Sequence, residues 1–146
     1  MTSKRHVQYA VERDLDVPAF QRVLVESGLG AIRPVADEAR LLEMLTAADL
    51  IVTARLVEPG VPLVGVARCI TDFAWVCYLS DLAVSGSAQG LGIGKGLLAE
   101  VRQQLGPRVS VVLSSVPEAA GFYERAGMER VPNVFRYRRE SDSTRS

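Results

Sequence analysis

A chain of 146 residues, 48% hydrophobic and 23% charged, fits one compact globular domain with a sizeable core and leaves no room for a second. Seventeen basic residues balance seventeen acidic ones, which removes the charge excess expected of a nucleic-acid or polyanion binder. No apolar run approaches the ~20 residues of a membrane helix and the polar stretch from Met1 to Arg13 is unlike a signal peptide, so the expected location is cytoplasmic.

The hydrophobic pattern alternates between period two and period 3.6, the mark of mixed α and β structure. Val7 to Val11 reads as a first strand. Asp16 is a helix N-cap, Pro18 suits the first turn, and Phe20, Val23 and Leu24 give an inward face that ends at Ser27 and Gly28. A second helix is expected from about Asp37 to Ala48, with Leu41, Leu42 and Leu45 as its apolar stripe. Leu50 to Val57 and Leu63 to Thr71 flank Glu58-Pro59-Gly60-Val61-Pro62 and read as a hairpin, with Trp75 to Val84 as the next strand. A helix from about Ile93 to Leu105 follows and is stopped by Gly106-Pro107. Then come a strand at Val109 to Ser114, a short helix from Pro117 to Ala126 ended by Gly127, and a last strand at Phe135 to Arg139.

The order is β-α-α-β-β-β-α-β-α-β, an α/β layered fold with a mixed, mostly antiparallel sheet and helices on both faces. The domain is expected over residues 1–139, and the charged, Ser/Thr-rich residues 140–146 are expected to be a disordered tail. Cys69 and Cys77 sit in apolar strand segments without metal-ligand spacing, so they read as buried free thiols. A disulfide across the hairpin is geometrically open but disfavoured in a reducing compartment. No metal site is expected.

Glycine occupies every second position from Gly90 to Gly96, at the start of a predicted helix. Gly94 and Gly96, in the first turn, each cost about 1 kcal/mol relative to alanine and are uneconomical unless something approaches this backbone closely. A helix start carries unpaired N–H groups and a partial positive charge, which together suit a phosphate. A Walker A loop is excluded because Gln89 and Gly96 stand where Gly and Ser/Thr are required. A G-x-G-x-x-G fingerprint is excluded because Lys95 or Leu97 replaces the third glycine.

The pattern Q-x-x-G-x-G at Gln89, Gly92 and Gly94, preceded by a strand ending Leu82-Ala83-Val84, resembles the acetyl-CoA loop of the GNAT superfamily of N-acetyltransferases. The segment Phe122-Tyr123-Glu124-Arg125-Ala126-Gly127-Met128 is similar to that family's second signature, and the order of elements matches along nearly the whole chain. The alternative for these residues is a glycine turn that only packs a helix on a strand.

The resemblance implies acetyl-CoA as co-substrate, with its pyrophosphate held by Gln89, Gly90, Leu91, Gly92, Ile93, Gly94 and Lys95. It also implies a bulge near the end of the fourth strand and pantetheine lying along the backbone of Leu82, Ala83 and Val84. The thioester would be attacked directly by a neutral amine, with Tyr123 as the acid for the departing sulfur. Asp81 is either the base, directly or through water, or a solvated or ion-paired carboxylate. Strand alternation sets Tyr78, Ser80 and Leu82 on one face and Asp81 on the other. Val116 stands where the family often has a pantetheine-binding asparagine.

Other residues carry paired readings. Trp75 and Tyr78 are either an aromatic wall for the acceptor or core packing. Asp37, Glu38 and Glu43 either meet a cationic acceptor or belong to a solvated helix face, and His6 reads as a surface residue. Phe135 and Tyr137 alternating with Arg136, Arg138 and Arg139 read as an edge strand, not a nucleic-acid patch. The expected acceptor is a small-molecule amine of arylalkylamine, polyamine or amino-sugar type. The alternatives are a protein or peptide amine, or a non-catalytic acyl-CoA-binding module. A homodimer is compatible with the resemblance.

Overall fold

The computed structural model describes residues 5–140, so residues 141–146 of the expected tail lie outside the described part. Five strands form one sheet in sequential order: β1 (Val7–Val11), β2 (Leu50–Leu56), β3 (Leu63–Thr71), β4 (Val76–Val84) and β5 (Ser110–Val112). The first three junctions are antiparallel and β4–β5 is parallel. The β2–β3 and β3–β4 connections are short enough for hairpins. A parallel neighbour needs a crossover, which α3 (Ile93–Leu105) provides.

The helices start and stop where the sequence signals place them. The Asp16 carboxylate accepts from the Ala19 N–H at 3.1 Å and caps α1 (Val17–Ser27), whose end is turned by Gly28 at φ 88°. Asp37 caps α2 (Glu38–Ala47) by accepting from the Arg40 N–H at 3.0 Å. Such caps contribute about 1 kcal/mol each. Phe20, Val23 and Leu24 of α1 and Leu41 and Leu45 of α2 pack against Ile51, Leu63, Val66 and Ala83 on one face of the sheet. On the other face α3 lies against Gly65, where an added Cβ would come within 2.9 Å of Ile93 Cγ2 and 3.1 Å of Leu97 Cδ1. Close approach of helix to sheet requires glycine there.

Several expected features differ. Leu42 is exposed: a ten-residue helix lying on α1 and the sheet buries only the narrow stripe through Leu41 and Leu45. Trp75 falls in the turn before β4, where the Asp72 carboxylate accepts from the Ala74, Trp75 and Val76 N–H groups and fixes the chain in a bend. β5 has three residues instead of six. No strand forms at Phe135 to Arg139. Phe135 and Tyr137 are almost fully exposed, and period-two patterning supplies faces for a strand but not the neighbouring edge that must complete its hydrogen bonds.

The chain divides into two compact units between Ser114 and Ser115, and the sheet with α1 to α3 is the first of them. The second holds a 3-10 turn at Pro117–Ala119 and α4 (Ala120–Arg125), ended by Gly127 at φ 91°. Tyr123 and Phe122 meet edge to face there, with ring centroids 5.1 Å apart.

Candidate active site

The β4 strand carries a bulge. Arg68 pairs with Asp81 and Cys69 with Leu79, so Ser80 is an extra residue with no rung on β3. The extra residue reverses the alternation beyond it. Tyr78 pairs with Ile70 and Asp81 with Arg68, which places both on the α1/α2 face, whereas Leu82, opposite Ala67, lies on the α3 face. The strict alternation read from the sequence is therefore corrected for Tyr78, which shares the face of Asp81, while Leu82 stays opposed to Asp81 as expected.

The bulge coincides with the end of pairing to β5. Only Val76, Cys77 and Tyr78 have β5 partners, Ser110, Val111 and Val112. Within the first unit the backbone from Leu79 to Val84 is thus an edge free of β5, and it includes Leu82, Ala83 and Val84, the residues expected along a pantetheine chain.

Beyond the strand, buried Ser85 donates from its hydroxyl to Glu26 of α1 at 2.7 Å and from its N–H to the Val64 carbonyl at 2.8 Å. The loop then passes through Gly90 at φ 90° and Gly92 at φ 75°, left-handed conformations that favour glycine. An added Cβ would meet nothing within 4 Å at either position. Gly92 is the N-cap of α3 and offers no side-chain oxygen, so the first N–H groups, at Ile93, Gly94 and Lys95, have no protein cap. Gln89 is exposed and donates from Nε2 back to the Val84 carbonyl at 3.4 Å, and Leu91 and Lys95 are also exposed. The open turn and uncapped helix start can accept a diphosphate without displacing any protein group.

Gly96 has another explanation. A Cβ there would overlap the phenol of Tyr9 on β1, so the close neighbour is this chain's own side chain. Burial raises the Tyr9 pKa.

Asp81 is fully buried and ion-paired, the second of the readings left open for it. One carboxylate oxygen accepts from Arg33 Nε at 2.6 Å and the other from Arg68 Nε. Neither arginine stands out in the sequence, because the pairing depends on the bulge and on where the loop after α1 leads. Trp75 and Tyr78 are not core residues: they are 77% and 45% exposed. Asp37 is engaged as a cap, and Glu38, Glu43 and His6 are exposed.

Cys69 and Cys77 are buried free thiols on one face of the hairpin. A hydrogen bond to Cys77 and burial push the Cys69 thiol up, so it stays protonated. In the second unit, burial raises the Tyr123 pKa, and Val116 precedes the 3-10 turn as its N-cap. Among the described residues no group of three or more His, Cys, Asp or Glu side chains is placed to hold a metal, and no helix is long and apolar enough to cross a membrane.

A mixed sheet whose fourth strand bulges against the third just beyond its pairing with the fifth, ahead of a glycine turn and a helix with no side-chain cap, is an α/β architecture. The sequence profile of the Acetyltransferase (GNAT) domain matches residues 36–139, well over half of the chain, and the chain belongs to the GNAT acetyltransferase family. No curated protein sequence matches it significantly.

Among solved structures, a candidate acetyltransferase of Deinococcus radiodurans R1 is 26% identical, with TM-score 0.70 over 90% of this chain and 88% of the other. The aminoglycoside N-acetyltransferase AAC(6')-Iy in complex with CoA is similar in fold at 19% identity, with TM-score 0.66 over 96% of this chain and 99% of the other. The same enzyme with the bisubstrate analogue CoA-S-monomethyl-acetylneamine matches at 20% identity, with TM-score 0.64 over 92% and 98%.

Proposed function

We propose that this protein transfers the acetyl group of acetyl-CoA to the amine of a small molecule. The observation that carries this is the uncapped start of α3 behind Gly90 and Gly92, directly after the free edge of β4. That arrangement suits a diphosphate joined to an extended chain, the two halves of coenzyme A. The neighbour that binds CoA and a CoA–neamine analogue supports both the donor and a small amine as acceptor.

Gln89 to Lys95 hold the pyrophosphate through backbone N–H groups and the helix dipole. The backbone of Leu82 to Val84 pairs with pantetheine and polarises the thioester carbonyl. An amine of pKa near ~10 is only about a thousandth neutral at pH 7 and must lose a proton before it attacks. Asp81 is not assigned that proton, since both its oxygens already accept from guanidiniums; the proton passes to water. The nitrogen attacks the carbonyl carbon, the C–S bond breaks, and Tyr123 protonates the leaving sulfur. A phenol whose pKa is raised by burial stays protonated through neutral pH, as this role needs. The exposed rings of Trp75 and Tyr78 offer aromatic surface to the acceptor.

The test is acetyl-CoA-dependent thiol release with arylalkylamines, polyamines, amino sugars and peptides. Release with a small amine is expected. Release with peptides alone would transfer the assignment to protein or peptide acetylation, and none with any acceptor would leave a CoA-binding module. Tyr123→Phe should lower kcat by roughly 10²-fold with CoA affinity unchanged; equal turnover would remove Tyr123 from the mechanism.

A further inference from the structure

Ser80, the residue without a rung on β3, is gripped from two directions. Arg33 donates from Nη2 to its carbonyl at 2.7 Å, and Arg68 donates from Nη2 to its hydroxyl at 2.9 Å. Both guanidiniums also hold the Asp81 carboxylate through Nε. Arg33 is itself fixed by its place at the end of the 3-10 turn Leu29–Ile32 and donates from Nη1 to the Ile32 carbonyl at 3.0 Å. Arg68 and Asp81 are buried.

This arrangement is more than a bulge requires. Two cations, buried Arg68 and part-buried Arg33, surround one buried anion, where an apolar filling would be less costly to desolvate. Each arginine uses its planar fork to bridge the carboxylate and Ser80, and a lysine cannot reproduce that geometry. The Ser80 carbonyl is directed to Arg33 on the α1/α2 side, and the bulge that results begins the edge free of β5.

We propose that Arg33 and Arg68, tied by Asp81, are positioning residues that hold the Ser80 bulge and thereby set the β4 edge against which the acetyl-CoA thioester lies. This rests on the acetyl-transfer reading. In this role Arg33 and Arg68 act through Ser80 and Asp81, the groups they hydrogen-bond.

The test compares Arg33→Ala and Arg33→Lys with the unaltered protein. Both leave the Arg68–Asp81 pair, so the buried carboxylate keeps a partner. In Arg33→Ala, amide hydrogen exchange across residues 80–84 should quicken while β1 and β2 are unaffected. CoA affinity by calorimetry should fall severalfold at most, since the pyrophosphate loop is untouched and only the pantetheine edge is loosened, while kcat for thiol release falls about tenfold or more. Arg33→Lys should restore only part of kcat. Unchanged exchange at 80–84, or a kcat equal to that of the unaltered protein below the melting range, would overturn the clamp. Failure of the unaltered protein to bind CoA would instead overturn the acetyl-transfer reading, and the clamp would then be decided by hydrogen exchange alone.

Discussion

Glu12 is gripped by Arg55 through both carboxylate oxygens, at 2.8 and 2.9 Å, with the Thr53 hydroxyl as a third donor. The hydrogen bonds from Arg55 hold the Glu12 carboxyl below its ordinary value. A carboxyl whose pKa is lower in the folded chain stabilises the fold above its unfolded pKa, about 4.3, and loses that contribution as pH falls through the folded value. Urea unfolding from pH 6 downward should therefore show an acid-side loss of stability that Glu12→Gln reduces; identical profiles would dismiss the pair as a contributor. Asp81 is the harsher case. Asp81→Asn leaves buried Arg68 and part-buried Arg33 without their counter-charge and should destabilise by about 3–5 kcal/mol in equilibrium urea unfolding. Gly96→Ala should cost about 1–3 kcal/mol by overlap with Tyr9, and a smaller side chain at Tyr9 should recover part of the loss in the double variant.

At the scale of elements, signals carried by neighbouring residues were legible and those carried by pairing were not. The extents of α1 and α3 follow from Asp16, Pro18, Gly28 and Gly106, because caps and turn residues act within a few positions of themselves. The Ser80 bulge leaves no such local trace: Trp75 to Val84 reads as an unbroken strand, only the family resemblance implies a bulge near its end, and the inserted residue is defined by its partner on β3. The same limit explains Phe135 to Arg139, whose alternation is strand-like although no strand forms there. Within the site, the glycine loop was legible from spacing. Arg33 and Arg68 were not, since their common target depends on the register of β3 with β4. The loop and helix start also give a direct test. Gly92→Ala forces a side chain into a left-handed conformation at about 1–2 kcal/mol. It should weaken CoA binding severalfold in calorimetry, with no change in the acceptor KM if the loop serves only the donor.

For the sheet as a whole, order of pairing predicts order of opening. β3 is flanked by β2 and β4 along most of its length, whereas β5 has three residues and one neighbour among the described strands. Native-state hydrogen exchange should find the slowest amides in β2 to β4 and markedly faster exchange in β5; uniform protection would contradict this.

The contact between Tyr9 and Gly96 has a consequence of a thermodynamic kind. The helix that begins at the proposed donor loop rests, one turn later, on the strand farthest from β4 in the sheet order. Whatever lowers the free energy of that helix start also makes β1 harder to peel away, and the gain grows with the logarithm of ligand concentration above its Kd. Saturation with CoA should then slow the unzipping of the amino-terminal strand, four positions across the sheet from β5. The first strand would report, at a distance, whether the donor is bound.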